Sequence, residues 1–203
     1  VCSIANQPVP TSADMQCRPV RDADGRRCDA HPVEAKTVGA CSINLSAKSM
    51  EDEGFAEYFR LRLARSQFPA HKIIFEITET SAMQNLSRVQ ALIGELRVLG
   101  CRFALDDFGA GFCSFKYLQS LDVDIFKIDG SFVRDLETSD LSNAVIRSIT
   151  DIAQVLNKTT IAEHCETEPM RKKLHELGVD YAQGYGIHRP QPIAEYFGTG
   201  QRM

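Results

Sequence analysis

From residue 40 onward, short apolar runs alternate with stretches in which apolar residues recur every three or four positions. The runs are 41–45 (Cys-Ser-Ile-Asn-Leu), 73–77 (Ile-Ile-Phe-Glu-Ile), 102–106 (Arg-Phe-Ala-Leu-Asp), 125–129 (Ile-Phe-Lys-Ile-Asp), 160–163 (Thr-Ile-Ala-Glu) and 181–185 (Tyr-Ala-Gln-Gly-Tyr). Most are nearly continuous in apolar character, which predicts strands covered on both faces, as in a parallel sheet. Between them, Leu86, Val89, Leu92, Ile93, Leu96 and Leu99 fall at helical spacing and Gly100 marks a stop. Val145, Ile149, Ile152, Ala153 and Leu156 predict a second helix, and Met170, Leu174 and Leu177 a third, ended by Gly178. Phe55, Phe59 and Leu63 predict a fourth, broken at Phe68-Pro69. This alternation predicts an α/β fold, either a barrel or a doubly wound sheet.

The first 40 residues differ. They hold Pro8, Pro10, Pro19 and Pro32 and no helical pattern. Residues 16–27 read as a strand leading into a turn at Asp24-Gly25.

Composition narrows the class. The 203 residues are 43% hydrophobic and 25% charged, which suits one globular domain with a full core. A net charge of −4 without clustered Lys or Arg argues against a surface for DNA, RNA or an anionic membrane. The seven cysteines are scattered, with no C-x-x-C pair, so reduced thiols and a cytoplasmic setting are expected. No apolar run approaches the ~20 residues of a membrane span, and no signal-peptide pattern opens the chain. The expectation is a domain without membrane contact of its own, cut from a larger protein in which any tether lies outside this segment.

The polar residues inside the runs recur in one place. Asn44, Glu76, Asp106, Asp107, Lys127, Glu163 and Gln183 all fall near the C-terminal end of a predicted strand. Barrel enzymes and open α/β sheets keep their chemistry on that face. Each residue alone reads as readily as a cap or a solvated side chain. Together, four carboxylates and an amide at one mouth would repel unless hard divalent cations held them, and Mg²⁺ and Mn²⁺ prefer such oxygen ligands. Adjacent Asp106 and Asp107 suit a pair of metals that activate water for phosphoryl displacement. Lys127 would orient that water or neutralise developing charge. A Schiff-base role for Lys127 would need it deprotonated, which the neighbouring carboxylates oppose.

At these residues the sequence resembles the EAL-domain family of bacterial cyclic-di-GMP phosphodiesterases. The matching segments are Ile43-Asn-Leu-Ser46, Phe75-Glu-Ile-Thr-Glu79, Ala104-Leu-Asp-Asp-Phe-Gly-Ala-Gly111, Phe126-Lys-Ile-Asp129, Ser131-Phe-Val133, Ala162-Glu163 with Glu166-Thr167, and Gln183-Gly-Tyr185, in the family's order. The resemblance implies a TIM-like (β/α) barrel whose first strand is antiparallel. It implies two Mg²⁺ or Mn²⁺ ions and hydrolysis of cyclic di-GMP to linear pGpG, in a homodimer. By this resemblance Asn44, Glu76, Asp106, Asp107 and Glu163 are metal ligands, with Glu163 also counted among the catalytic groups. Lys127 holds or deprotonates the attacking water, and Gln183 positions water or substrate. Glu79 anchors the loop after Asp107, and Glu166 is a supporting acid.

Two departures stand out. The loop reads Ala110-Gly-Phe-Cys113 where the family more often has Thr-Gly-Tyr-Ser, and His164-Cys165 replaces a common Gly-Val. More seriously, the name-giving Glu-Ala-Leu is not in place. It should fall near residue 31, where the chain reads Ala30-His31-Pro32, while Glu34 lies only ten positions before Asn44. Adjacent parallel strands need a crossover of a dozen or more residues. A helical segment is therefore expected to be missing between about residues 30 and 31. The expected layout is a linker at 1–15, a barrel at 16–198 and a tail at 199–203. The missing glutamate leaves a second reading open, a receptor of the same fold that binds cyclic di-GMP without cleaving it.

Overall fold

The computed structural model describes residues 39–66, 68–111 and 115–190, with backbone alone at 2–3, 7–8 and 115–117. Its strands are β1 (Cys2–Ser3), β2 (Gln7–Pro8), β3 (Cys41–Asn44), β4 (Ile73–Thr78), β5 (Arg102–Phe108), β6 (Ile125–Ile128), β7 (Thr159–Ala162) and β8 (Tyr181–Ala182). β3 to β8 pair in chain order, each parallel to the next. The six strands predicted from the apolar runs are these six.

The sheet curls into a partial TIM-like barrel. β1 lies antiparallel along β3 at one edge, and β2 antiparallel along β8 at the other. Ser3 and Gln7 are only four residues apart, so the chain between them spans about 14 Å at most and brings the two edges near each other. The expected antiparallel first strand at 16–27 is not confirmed. That segment lies outside the described residues, as do the apparent break near 30–31, Glu34 and the tail, and the antiparallel pairings seen belong to two short N-terminal strands instead.

The connecting helices are α1 (Ala47–Glu51), α2 (Phe55–Ser66), α3 (Glu79–Gln84), α4 (Leu86–Arg97), α5 (Phe115–Ser120), α6 (Gly130–Arg134), α7 (Asp140–Val155) and α8 (Glu168–Glu176). Side chains along a strand alternate faces. Phe75, Ile77, Phe103, Leu105, Phe126 and Ile128 join the large core formed with the helices. Phe75 sits at its centre, 4.9 Å from Phe59 of α2 and 5.6 Å from Phe103, ring to ring. Ile74, Ala104, Ile125 and Ile161 form a separate small cluster on the opposite, inner face, with Tyr181 packed against it. That inner apolar layer is the floor of the site.

Cys101 and Cys165 are free and buried, and burial pushes each thiol up to about 11. Cys41, by contrast, is disulfide-bonded, against the expectation of uniformly reduced thiols.

Candidate active site

The inner face continues upward from its apolar floor. Two residues beyond Ile74, Ala104, Ile125 and Ile161 come Glu76, Asp106, Lys127 and Glu163. A step of two returns a strand's side chain to the same face, so four strands place these groups side by side in the next layer. Asn44 and Gln183 stand in the equivalent positions beyond Ser42 and Tyr181.

Lys127 is the hub. Its Nζ donates to Glu76 Oε2 at 3.0 Å and to Asp106 Oδ1 at 2.7 Å, and it lies 2.7 Å from Glu163 Oε1. Only 3% of its side chain is exposed. Burial alone would pull the ammonium's pKa down, but Glu76, Glu163 and Asp106 together hold it well above the ordinary lysine value. Held charged in this way, Lys127 is suited to a fixed cation rather than to the neutral amine a Schiff base needs. One ammonium cannot balance three carboxylates. Burial, with Asp106 and Glu76 nearby, pushes Glu163 above the usual carboxylate range despite the opposing pull of Lys127.

Asp107 reaches the same mouth by a different route. Strand alternation would turn it away from Asp106, but the β5–β6 register shifts between Leu105 and Phe108, and Asp107 adopts φ 56°. This irregularity brings carboxylate oxygens of Asp106, Asp107 and Glu163 within 4.8 Å of one another. Partial desolvation, then Asp106 and Asp129, raise the Asp107 pKa. Three acidic groups this close, all offering oxygen, suit a hard divalent cation.

Glu79 lies apart from that cluster. Thr78 caps α3, and Glu79 is its buried first residue, 3% exposed. Its Oε2 accepts the Gly109 N–H at 3.1 Å, and a Cβ on Gly111 would collide with the same carboxylate. Glu79 thus grips the loop that leaves β5 after Phe108, one residue beyond Asp107. Asn44 is exposed at the end of β3, in register with Glu76. Gln183 bonds to the β7 end by backbone, its N–H donating to Ala162 O and its carbonyl accepting from Cys165 N.

The spacing of the motifs gave no sign of His164. It follows Glu163 in the left-handed region, φ 55°, with its ring against Gly130, so that any Cβ at 130 would overlap the imidazole. Gly130 opens α6 just after β6, so this contact joins the turn behind Lys127 to the turn behind Glu163. The available signal was His164-Cys165 standing where the family resemblance leads one to expect Gly-Val.

The family model of the EAL domain matches residues 23–190. The cyclic di-GMP phosphodiesterase PdeB of Shewanella oneidensis is 45% identical over 155 residues, covering 76% of this chain and 18% of that protein. PdeA of Borreliella burgdorferi, also a cyclic di-GMP phosphodiesterase, is 40% identical over 152 residues, covering 75% of this chain and 23% of that protein. The chain thus spans about a fifth of the length of these relatives. Among solved structures, the PaMucR phosphodiesterase in its c-di-GMP complex matches with a TM-score of 0.73 and 30% identity, over 76% of this chain and 63% of that one. The FimX EAL domain matches with a TM-score of 0.71 and 26% identity, over 80% of this chain and 63% of that one. The chain belongs to the EAL-domain family.

Proposed function

We propose that this domain is a metal-dependent phosphodiesterase that hydrolyses one phosphodiester of cyclic di-GMP to give linear pGpG. The observation that carries the reading is the polar layer: Glu76, Asp106 and Glu163 around Lys127, with Asp107 turned into the same mouth. The named relatives and the c-di-GMP complex supply the substrate class.

Asp106, Asp107 and Glu163 would hold Mg²⁺ or Mn²⁺, with Glu76 and Asn44 completing ligation of two ions. Such ions, when bound, supply an activated water and stabilise the attacking and leaving oxygens of an in-line displacement. The chain's own residues do the rest. Lys127, held charged, fixes the three carboxylates in place and offsets the negative charge that develops at phosphorus. Glu79 sets the position of Asp107 through the Gly109 N–H. Gln183, beside the end of β7, contacts water or substrate at the rim. The same reading takes the protein to be cytoplasmic and homodimeric.

The test is to incubate the full-length protein with cyclic di-GMP and Mg²⁺, Mn²⁺ or EDTA, and resolve the products by chromatography. Linear pGpG in the two metal samples alone is expected. No product from folded protein that retains the dinucleotide would replace this reading with the receptor.

A further inference from the structure

Among the described residues, the non-glycines with a positive φ are Asp107, Asn157 and His164. Asn157 sits just past the end of α7, where a left-handed residue ordinarily closes a helix and asparagine suits the conformation. Asp107 belongs to the carboxylate mouth. His164 ends no helix: it lies in the turn between β7 and α8, directly after Glu163. Backbone of this kind is costly for a residue with a side chain, and it persists where the surroundings over-determine it.

The bonds of the turn show what holds it. The Glu163 N–H donates to Ile128 O of β6 at 3.2 Å, and the Cys165 N–H donates to Gln183 O, just beyond β8, at 2.9 Å. Glu163 directs its carboxylate inward to Lys127, 2.7 Å away, while Cys165 is buried in the core formed with the helices. Within one residue the chain changes both the strand it bonds to and the side it faces, and the dihedrals of His164 make that change. A glycine would make it as well, at no steric cost. What histidine adds is a ring. The imidazole lies against buried Gly130, the first residue of α6 and three positions after Lys127, so closely that a Cβ at 130 would overlap it.

We propose that His164 is a positioning residue for the metal centre. Its ring, wedged against Gly130, locks the turn after β7 to the turn after β6. The lock keeps the Glu163 carboxylate on Lys127 and within reach of Asp106 and Asp107 before a cation arrives. Ligands held in place bind more tightly, because less freedom is lost on binding and their orientation is already set. The ring acts by shape and reach, and its nitrogens take no part. This role rests on the reading of the carboxylate layer as a divalent-cation centre, and it brings to that centre a residue from outside the acidic set.

Positioning and stability here move in opposite directions, which separates this role from a merely structural one. The experiment measures thermal unfolding of the metal-free full-length protein, Mn²⁺ affinity by calorimetry, and cyclic di-GMP turnover, for wild type, His164→Gly, His164→Asn and His164→Phe. His164→Gly relieves the backbone and loses the lock. Its melting temperature should stay level or rise, while Mn²⁺ affinity falls about ten-fold and turnover falls with it. His164→Asn tolerates the left-handed backbone but has no ring, and should match His164→Gly. His164→Phe keeps a ring over Gly130 and should hold affinity and turnover within about two-fold of wild type. Affinity and turnover of His164→Gly within two-fold of wild type overturn the proposal. So does an affinity loss matched by a lower metal-free melting temperature, or a His164→Phe as weak as His164→Gly. Folded wild-type protein that binds no Mn²⁺ overturns the reading of the metal centre itself, and this role with it.

Discussion

Replacing Lys127 by methionine removes the central charge and keeps the apolar stem. The ammonium faces three carboxylates at 2.7 to 3.0 Å. With an effective dielectric near 20, each pair is worth about 6 kcal/mol before desolvation is counted. Desolvating the ammonium offsets much of that sum, and removal of one partner from a buried ion pair costs about 3–5 kcal/mol. The loss should depend on pH. Without Lys127 the crowded carboxylates bind protons more tightly in the folded state than in the unfolded one, where a glutamate titrates near 4.5. The folded state then carries the extra protons, so stability falls as pH rises through and above about 5, and is recovered on acidification. Urea melts of Lys127→Met and wild type between pH 5 and 8, without metal, measure this directly. The gap should widen by at least about 2 kcal/mol across that range, and Mn²⁺ should narrow it at pH 8. A loss below about 1 kcal/mol that ignores pH would refute the hub role of Lys127.

Three further outcomes follow from the same geometry. Mn²⁺ affinity, measured by calorimetry, should drop as pH falls through the raised pKa of Glu163, since the protonated acid cannot ligate, and the drop should begin above the ordinary 4.5. Gly130→Ala should cost about 1–3 kcal/mol, because its Cβ meets the His164 ring, and His164→Gly should rescue it while relieving the left-handed backbone at 164, as thermal melts of the single and double variants would show. Gly111→Ala should displace Glu79, free the Gly109 N–H and lower turnover at least ten-fold with little change in thermal stability.

Much of this was readable from the chain because strands impose a period of two. Each inner apolar residue announces the polar residue two positions on, as Ile74 announces Glu76 and Ile161 announces Glu163. Asp107 breaks that rule, and only its adjacency to Asp106 pointed to it; the register shift that turns it inward depends on pairing with β6. The long helices α2, α4, α7 and α8 showed their spacing. The short α1, α3 and α6, five or six residues each, hold too few turns for periodicity to register. Their signals were the caps at Ser46, Thr78 and Asp129, whose side chains accept from backbone N–H groups two or three residues on. The contact of His164 with Gly130 joins residues 34 apart and has no local pattern.

The central claim is that the layer around Lys127 is a divalent-cation centre that cleaves cyclic di-GMP. The most direct measurement is turnover of cyclic di-GMP at saturating Mn²⁺ by wild type and Asp106→Asn, with Mn²⁺ binding measured on the same samples. The account predicts at least a thousand-fold loss of pGpG formation, together with weakened Mn²⁺ binding, in a variant that still folds. Turnover of Asp106→Asn within a few-fold of wild type would contradict it.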